Sequence, residues 1–261
     1  DLSNSCRAVV DLWANGAITM SSSARVDHDA KSSTGSLTMS QSASVGNNAT
    51  VGTTCSGCAG RVGGTITTGN VQPAPPTSTF PTMIFDATAW TTDGWSIQYF
   101  TDCTAARSWL TSGANNASKT VLRITGGCTL TFQNNTTVTR TADVAIFTDG
   151  GISASNNTTF ASGDGSWHNL LLTVESAASC AGTNGRITMS NQTSFDHEYF
   201  LLYSPCYTQF GQNNSSARGQ IYGQVVTTSN NLTFTFHAMD VPGAGDVTGY
   251  RAGTAFVREV N

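Results

Sequence analysis

Lysine occurs twice in 261 residues, at Lys31 and Lys119, and glutamate three times, at Glu175, Glu198 and Glu259. Charged residues make up 11% of the chain, less than half of the ~25% usual in a globular domain. The formal net charge is −4; without a basic stripe, nucleic acid is not an expected partner. No apolar run approaches the ~18 residues of a membrane span, so no transmembrane segment is expected within this chain. No basic, then apolar, opening marks a signal peptide. There is no GxGxxG or Walker phosphate loop and no GxSxG elbow. The four histidines stand apart at His28, His168, His197 and His237, and no second CxxC or paired histidines accompany Cys55 and Cys58, so no metal and no cofactor is expected.

Hydroxyls and amides take the place of charge: 40 Thr, 29 Ser and 19 Asn make up a third of the chain. β-Branched and aromatic residues recur between them, which argues for a folded chain rather than a disordered one. Seven cysteines sit at positions 6, 55, 58, 103, 128, 180 and 206. One short pair is followed by two pairs of similar separation, and the reading is Cys55–Cys58, Cys103–Cys128 and Cys180–Cys206, one of 15 pairings open to six cysteines. Cys6 is left over. Disulfides place the chain in an oxidising, extracellular compartment.

A nine-residue pattern recurs six times: ITMSSSARV from Ile18, LTMSQSASV from Leu37, LTFQNNTTV from Leu130, ISASNNTTF from Ile152, ITMSNQTSF from Ile187 and VTTSNNLTF from Val226. Positions one and three share one face of a strand, the polar middle turns the chain, and the ninth residue starts the next inward run. Recurrence of one supersecondary unit is the mark of a solenoid. The expected fold is therefore all-β: a right-handed parallel β-helix, the hand resting on the rule for parallel crossovers. A β-sandwich, with its hairpin turns, is the alternative, but gives no reason for the repeat. Coils are expected over 1–79 and 128–240. Residues 80–127 read as a strand–helix–strand insertion, with Thr101 or Asp102 as helix cap and Gly113 as stop. It follows the Pro-rich strip Val71–Pro76, and strand-like runs occur at Met83–Phe85 and Ser96–Phe100. The Gly-rich stretch 241–261 reads as a tail or cap.

The order of these features resembles the extracellular β-helical domain of actinobacterial-type minor-pilin-like proteins. The carriers are the SNN-type repeats, the strip Val71–Pro76 and Val121-Leu122-Arg123-Ile124-Thr125-Gly126-Gly127-Cys128. With them go the run Asp143–Ile152, Tyr203-Ser204-Pro205-Cys206 and Arg218-Gly219-Gln220-Ile221-Tyr222-Gly223. Together they span most of residues 15 to 242. Members of that family carry an N-terminal hydrophobic pilin helix, which is not in this sequence. The resemblance implies a pilus-associated cell-surface location, with other pilins or a surface glycan as partner, and transfers no catalytic residue.

The expected function is non-catalytic, structural and adhesive. Among the aromatics, Trp90, Trp95, Tyr99, Trp109, Tyr199, Tyr203 and Tyr207 are candidates for a contact surface. The alternative is a polysaccharide lyase or hydrolase, which needs clustered carboxylates; Asp196, His197 and Glu198 are its candidates, ahead of Asp27-His28-Asp29 and the segment holding Asp143 and Asp149. His168 reads as a structural histidine. A Thr-rich ice-binding solenoid and a scaffold stacking end on end are further alternatives. Ten Asn-x-Ser/Thr sequons accompany the repeat.

Overall fold

A computed structural model describes residues 2, 7–8, 11–73, 82–112, 117–190, 192–211, 215–229 and 232–244. Parallel coils stack into a β-solenoid of about nine turns. The repeat builds it as its alternation dictates. Ile18 and Met20 point inward, as do Leu37 and Met39, Leu130 and Phe132, and Ile187 and Met189, all buried. The chain then turns: the N–H of Ala24, Ala43, Thr136 and Thr193 each reaches the carbonyl three residues back. One residue of each turn adopts the left-handed conformation, Ser22 and Gln41 in the early copies and Asn135, Asn157 and Gln192 in the later ones. The position of that residue shifts by one, so two different turns serve the same corner. The ninth residue returns to the core as Val26, Val45, Val138 or Phe160.

Strand pairing does not follow chain order. The longest sheet runs Ser96–Phe100, Thr120–Ile124, Val144–Thr148, His168–Val174, Glu198–Gly211, Ser215–Ser229 and Leu232–Phe236, and continues through Arg7–Ala8, Arg25–Val26 and Ser44–Val45. The first strand of the chain thus lies against the last, with Arg7 opposite Thr233 and Ala8 opposite Phe234. The described coils from Arg7–Ala8 to Ile66–Thr67 lead away from that seam to one end of the stack. Coils 96–236 start at the other end and lead back to it.

Of the segment between them, residues 74–81 lie outside the described residues. The Gln72 N–H donates to the Ser33 carbonyl, and Ser33 Oγ donates to the Pro73 carbonyl. Further on, the Met83 N–H reaches Ser176 Oγ and the Phe85 N–H reaches Glu175 Oε1. Of the Pro-rich strip, Val71–Pro73 is described and is bonded to Ser33, and residues 74–76 lie outside the described residues. Met83–Phe85, strand-like in sequence, forms no strand of the solenoid and lies against Glu175 and Ser176 of the late coils.

The strand–helix–strand element occupies the end of the stack. Ser96–Phe100 and Thr120–Ile124 are parallel, in register with each other and with Val144–Thr148. Helix α2 (Cys103–Thr111) joins them, capped by Asp102, whose carboxylate accepts from the N–H of Thr104 and Ala105. Its buried face, Cys103, Ala106 and Leu110, belongs to the same core as Leu122, Ile124, Leu130 and Phe132, so α2 closes that end. Gly113, Cys6 and residues 245–261 lie outside the described residues. The pairs Cys55–Cys58, Cys103–Cys128 and Cys180–Cys206 are disulfide-bonded.

Three apolar clusters hold the molecule. One fills the late coils, from Leu110 to Ala217; a second fills the early coils, from Leu2 to Cys58. The third lies outside the wall: Val121, Ala145, Phe147, Leu171, Leu201 and Tyr203 face outward and are covered by Met83, Trp90 and Trp95. A second helix, α1 (Ala87–Thr92), absent from the sequence expectation, supplies Trp90. That ring meets Trp95 at 4.7 Å and Phe147 at 5.4 Å, edge to face.

Candidate functional site

The Asp196-His197-Glu198 run crosses a corner, where His197 adopts the left-handed conformation, breaks the strand alternation and lets the two carboxylates lie on opposite sides of the wall. The Asp196 side chain is 65% exposed and lies 2.8 Å from His197 Nδ1. Glu198 is 1% exposed and turned into the solenoid. There it pairs with the equally buried Arg140, Nε to Oε1 at 2.9 Å and Nη2 to Oε2. The guanidinium also donates to the carbonyls of Asn169, at 2.7 Å, and Ala142. Burial pulls Arg140 down to about 9 while the Asp143 charge pulls it back up, so it is protonated at neutral pH. The pairing that a two-carboxylate mechanism needs is not formed between Asp196 and Glu198.

The other acidic candidates are parts of the corners. Asp27 lies between Arg7 and Arg25, at 2.7 and 2.6 Å, and the Arg7 hydrogen bond chiefly holds its carboxyl below the usual range. Asp11, Asp29 and Asn48 form a ladder, each side-chain oxygen accepting the backbone N–H of the next coil, at Asp29, Asn48 and Thr65. Asp149 accepts from the N–H of Gly126 and Gly127, and Asp143 from that of Asn169. His168 bridges toward Asp164 at 3.0 Å. Among the described residues no group of three or more His, Cys, Asp or Glu is placed to hold a metal ion.

What is left at the surface is a stack of rings along one corner. Trp167 lies on Tyr199 at 4.7 Å, and Tyr199 on His237 at 3.5 Å, nearly parallel in both cases. The Arg218 guanidinium sits 4.7 Å from the Trp167 ring centre, and His197 at 5.3 Å. Burial first, and Arg218 second, keep His237 below the ordinary imidazole value. Trp167 remains 41% exposed. The rings face one another, so the stack offers solvent its edges, its polar atoms and the guanidinium. Tyr199 is the only member of the aromatic candidate set in this array. Trp90, Trp95 and Tyr203 are buried, Trp109 packs on Phe100, and Tyr99 and Tyr207 lie elsewhere on the surface.

Sequence reasoning missed Trp167, Arg218 and His237, which are brought to this corner from three coils. The usable signal is register: His168 stands opposite Glu198 and Tyr199 opposite Arg218. A second surface feature is a row of outward polar side chains, Thr131, Ser153, Thr188, Gln209 and Thr227, one per coil. The early coils carry a matching row, Thr19, Thr38 and Ser56. Arg186 and Tyr207 stand beside the first row, the cation 5.7 Å from the ring. Comparison with protein-family models, curated proteins and solved structures finds no match.

Proposed function

We propose that this chain is an extracellular, non-catalytic structural and adhesive domain of a minor-pilin-like surface protein, and that the Trp167–Tyr199–His237 corner with Arg218 is its contact surface. The observation that carries the reading is that corner. Asp27, Asp29, Asp143, Asp149 and Glu198 are engaged in coil corners or the core, whereas this array of stacked rings is ordered in advance and open to a partner. Rings already stacked lose little freedom on binding, and Trp, Tyr and Arg are the residues on which interface energy concentrates. Three disulfides and a solenoid stapled at both ends suit a stiff display element outside the cell. The motif order is the support for the pilus association.

The test has two arms. Purified domain is assayed for retention on source-cell surfaces and on immobilised wall and capsular glycans. Trp167→Ala with Tyr199→Ala is expected to weaken retention at least about tenfold, the scale of a lost hot spot, while the far-UV circular dichroism stays unchanged. Equal retention by the variant removes the corner from the reading. Immunogold labelling of source cells before and after shearing tests location, and label on shearable filaments is the expected result. Soluble products released from a polysaccharide panel, lost on Asp196→Ala, would replace the adhesive reading with the enzymatic one.

A further inference from the structure

Eight arginines lie among the described residues, and six of them are engaged by the protein's own oxygens. Arg7 and Arg25 pair with Asp27, Arg123 with Glu175 and Arg140 with Glu198. Arg61 donates to the carbonyls of Gln41 and Gly57, and Arg107 to that of Thr131. The two that remain, Arg186 and Arg218, stand against rings, at 5.7 Å from Tyr207 and 4.7 Å from Trp167. Arg218 belongs to the corner of stacked rings, and Arg186 lies outside it. The carboxylates beside the corner in the chain are already occupied. Asp196 lies on His197; Asp164 accepts from Ser162 Oγ and the Ser166 N–H and meets His168; Asp143 accepts from the Asn169 N–H. Asp240 lines a hollow against α1 with Ala89 and Thr92. The Arg218 charge therefore has no counter-ion at the corner among the described residues. Trp167 Nε1, on a ring 41% exposed, likewise has no acceptor there.

We infer that the partner of this corner is an acidic polysaccharide lying along the solenoid axis, with one of its anionic groups, carboxylate or sulfate, paired with Arg218. The inference rests on reading the corner as the contact surface and names the chemistry that surface selects. Charge is the first support. A guanidinium held against a ring is ordered in advance, and its planar fork matches an oxyanion with two parallel hydrogen bonds. The donor balance is the second. Trp167 Nε1–H and the guanidinium only donate, so they call for a ligand rich in acceptor oxygens, which a glycan supplies along its whole length. Shape is the third. Trp167, Tyr199, Arg218 and His237 come from four successive coils and span three strand spacings, ~14 Å along the axis. The ring faces are turned to one another, so the corner presents a line of polar edges. It has no slot for the apolar anchor on which a peptide interface concentrates its energy. The chain as a whole carries −4 and repels polyanions, so affinity for one has to come from a local site.

The experiment measures retention of the whole chain on immobilised polygalacturonate, dextran sulfate and neutral dextran. At least one acidic polymer is expected to retain it at least about tenfold better than dextran, less so as salt rises, and the better of the two names the anion. Arg218→Gln should lose about tenfold on that polymer. Arg218→Lys keeps the charge without the fork and should lose less. Arg186→Gln removes a ring-stacked cation outside the corner and should lose nothing, with unchanged far-UV circular dichroism in all three variants. Equal retention on dextran overturns the inference, and so does an equal loss in Arg186→Gln, which would mark a general attraction for anions. Equal retention on polyglutamate or on phosphatidylglycerol vesicles also overturns it, because the corner would then bind an anion of any origin. Source cells separate this inference from the reading beneath it. If Trp167→Ala with Tyr199→Ala weakens retention on cells and Arg218→Gln does not, the acidic partner is rejected and the contact surface stands. If neither variant weakens it, the contact surface falls as well.

Discussion

At the residue scale, the candidates divide by which way the strand turns them. Glu198 was read with Asp196 because they are two apart, yet the left-handed residue between them, His197, breaks the alternation. Glu198 therefore ends inside, with Arg140 as its partner. Removing one member of a buried pair strands the other, so Glu198→Gln is expected to cost about 3–5 kcal/mol. Arg140→Met with Glu198→Leu is expected to recover most of that loss, because both charges then leave together. Urea midpoints of the single and double variants decide it. Acidification adds a second expectation. His237 is depressed by burial, so the folded state prefers the neutral ring. Its stabilising contribution is present above the unfolded imidazole value of about 6.5 and is lost as pH falls through the lower folded value. Asp27, depressed chiefly by its Arg7 hydrogen bond, acts the same way in the acid range, below about 4. Thermal midpoints followed from pH 7 to 3 should fall in two stages, the first absent in His237→Phe and the second reduced in Asp27→Asn.

At the scale of the element, the nine-residue unit is a strand, a tight turn and a strand. Its polar middle carries no shared chemistry beyond the ability to enter the left-handed region or to bond its neighbours. Asn157 does both, donating its amide to Asn135 one coil away. Gln41 is exposed and held at φ 54°. Gln41→Val should lose about 1–2 kcal/mol, since a branched side chain meets the carbonyl in that conformation. Gln41→Gly should be near neutral, with relief of strain offsetting the entropy of the unfolded chain. Chemical denaturation of the two variants separates a turn requirement from a side-chain contact. Helices α1 and α2 are short and draw their order from carboxylate caps at Asp86 and Asp102 and from what they cover. Trp90 on α1 and Leu110 on α2 each bury completely, one over a wall and the other over an end.

At the scale of the whole molecule, the first described strand, Arg7–Ala8, lies in the middle of the solenoid, between Leu232–Phe236 and Arg25–Val26. Arg7–Ala8 and Leu232–Phe236 meet through two described register pairs, against five between neighbouring central strands, so they should open first. Hydrogen exchange followed by mass spectrometry is expected to show the amides of Arg7–Ala8 and Leu232–Phe236 exchanging well ahead of those in Val144–Thr148 and His168–Val174. Uniform protection across these four segments would mean that the early and late coils unfold as one unit. The same architecture explains why the contact corner assembles late: His237 reaches Tyr199 only once the last coils stack, so opening near the seam also loosens the patch.

Much of this was legible in the letters. A nine-residue pattern with two inward positions, a polar turn and an inward ninth residue can bury its apolar side only by stacking on its own copies, and this local constraint determined the parallel solenoid. Spacing suggested the three cystine pairs, one of 15 pairings, and local bonding offered Thr101 or Asp102 as cap; the structure has those three pairs and caps with Asp102. The sequence left open which end each coil faces, because every rung carries the same pattern and any order of stacking satisfies it. The segment from Met83 to Trp95 bears on that order: the outward apolar residues Phe147, Leu171 and Leu201 need a cover, and Met83, Trp90 and Trp95 supply it by packing against the late coils. The fate of Glu198 was equally out of reach, since its partner lies 58 residues away and across two coils. The corner of Trp167, Tyr199, Arg218 and His237 exists because the stack sets Tyr199 opposite Arg218 and brings Trp167 and His237, each two positions off that line, from the neighbouring coils against Tyr199; register along the axis is a property of the stack.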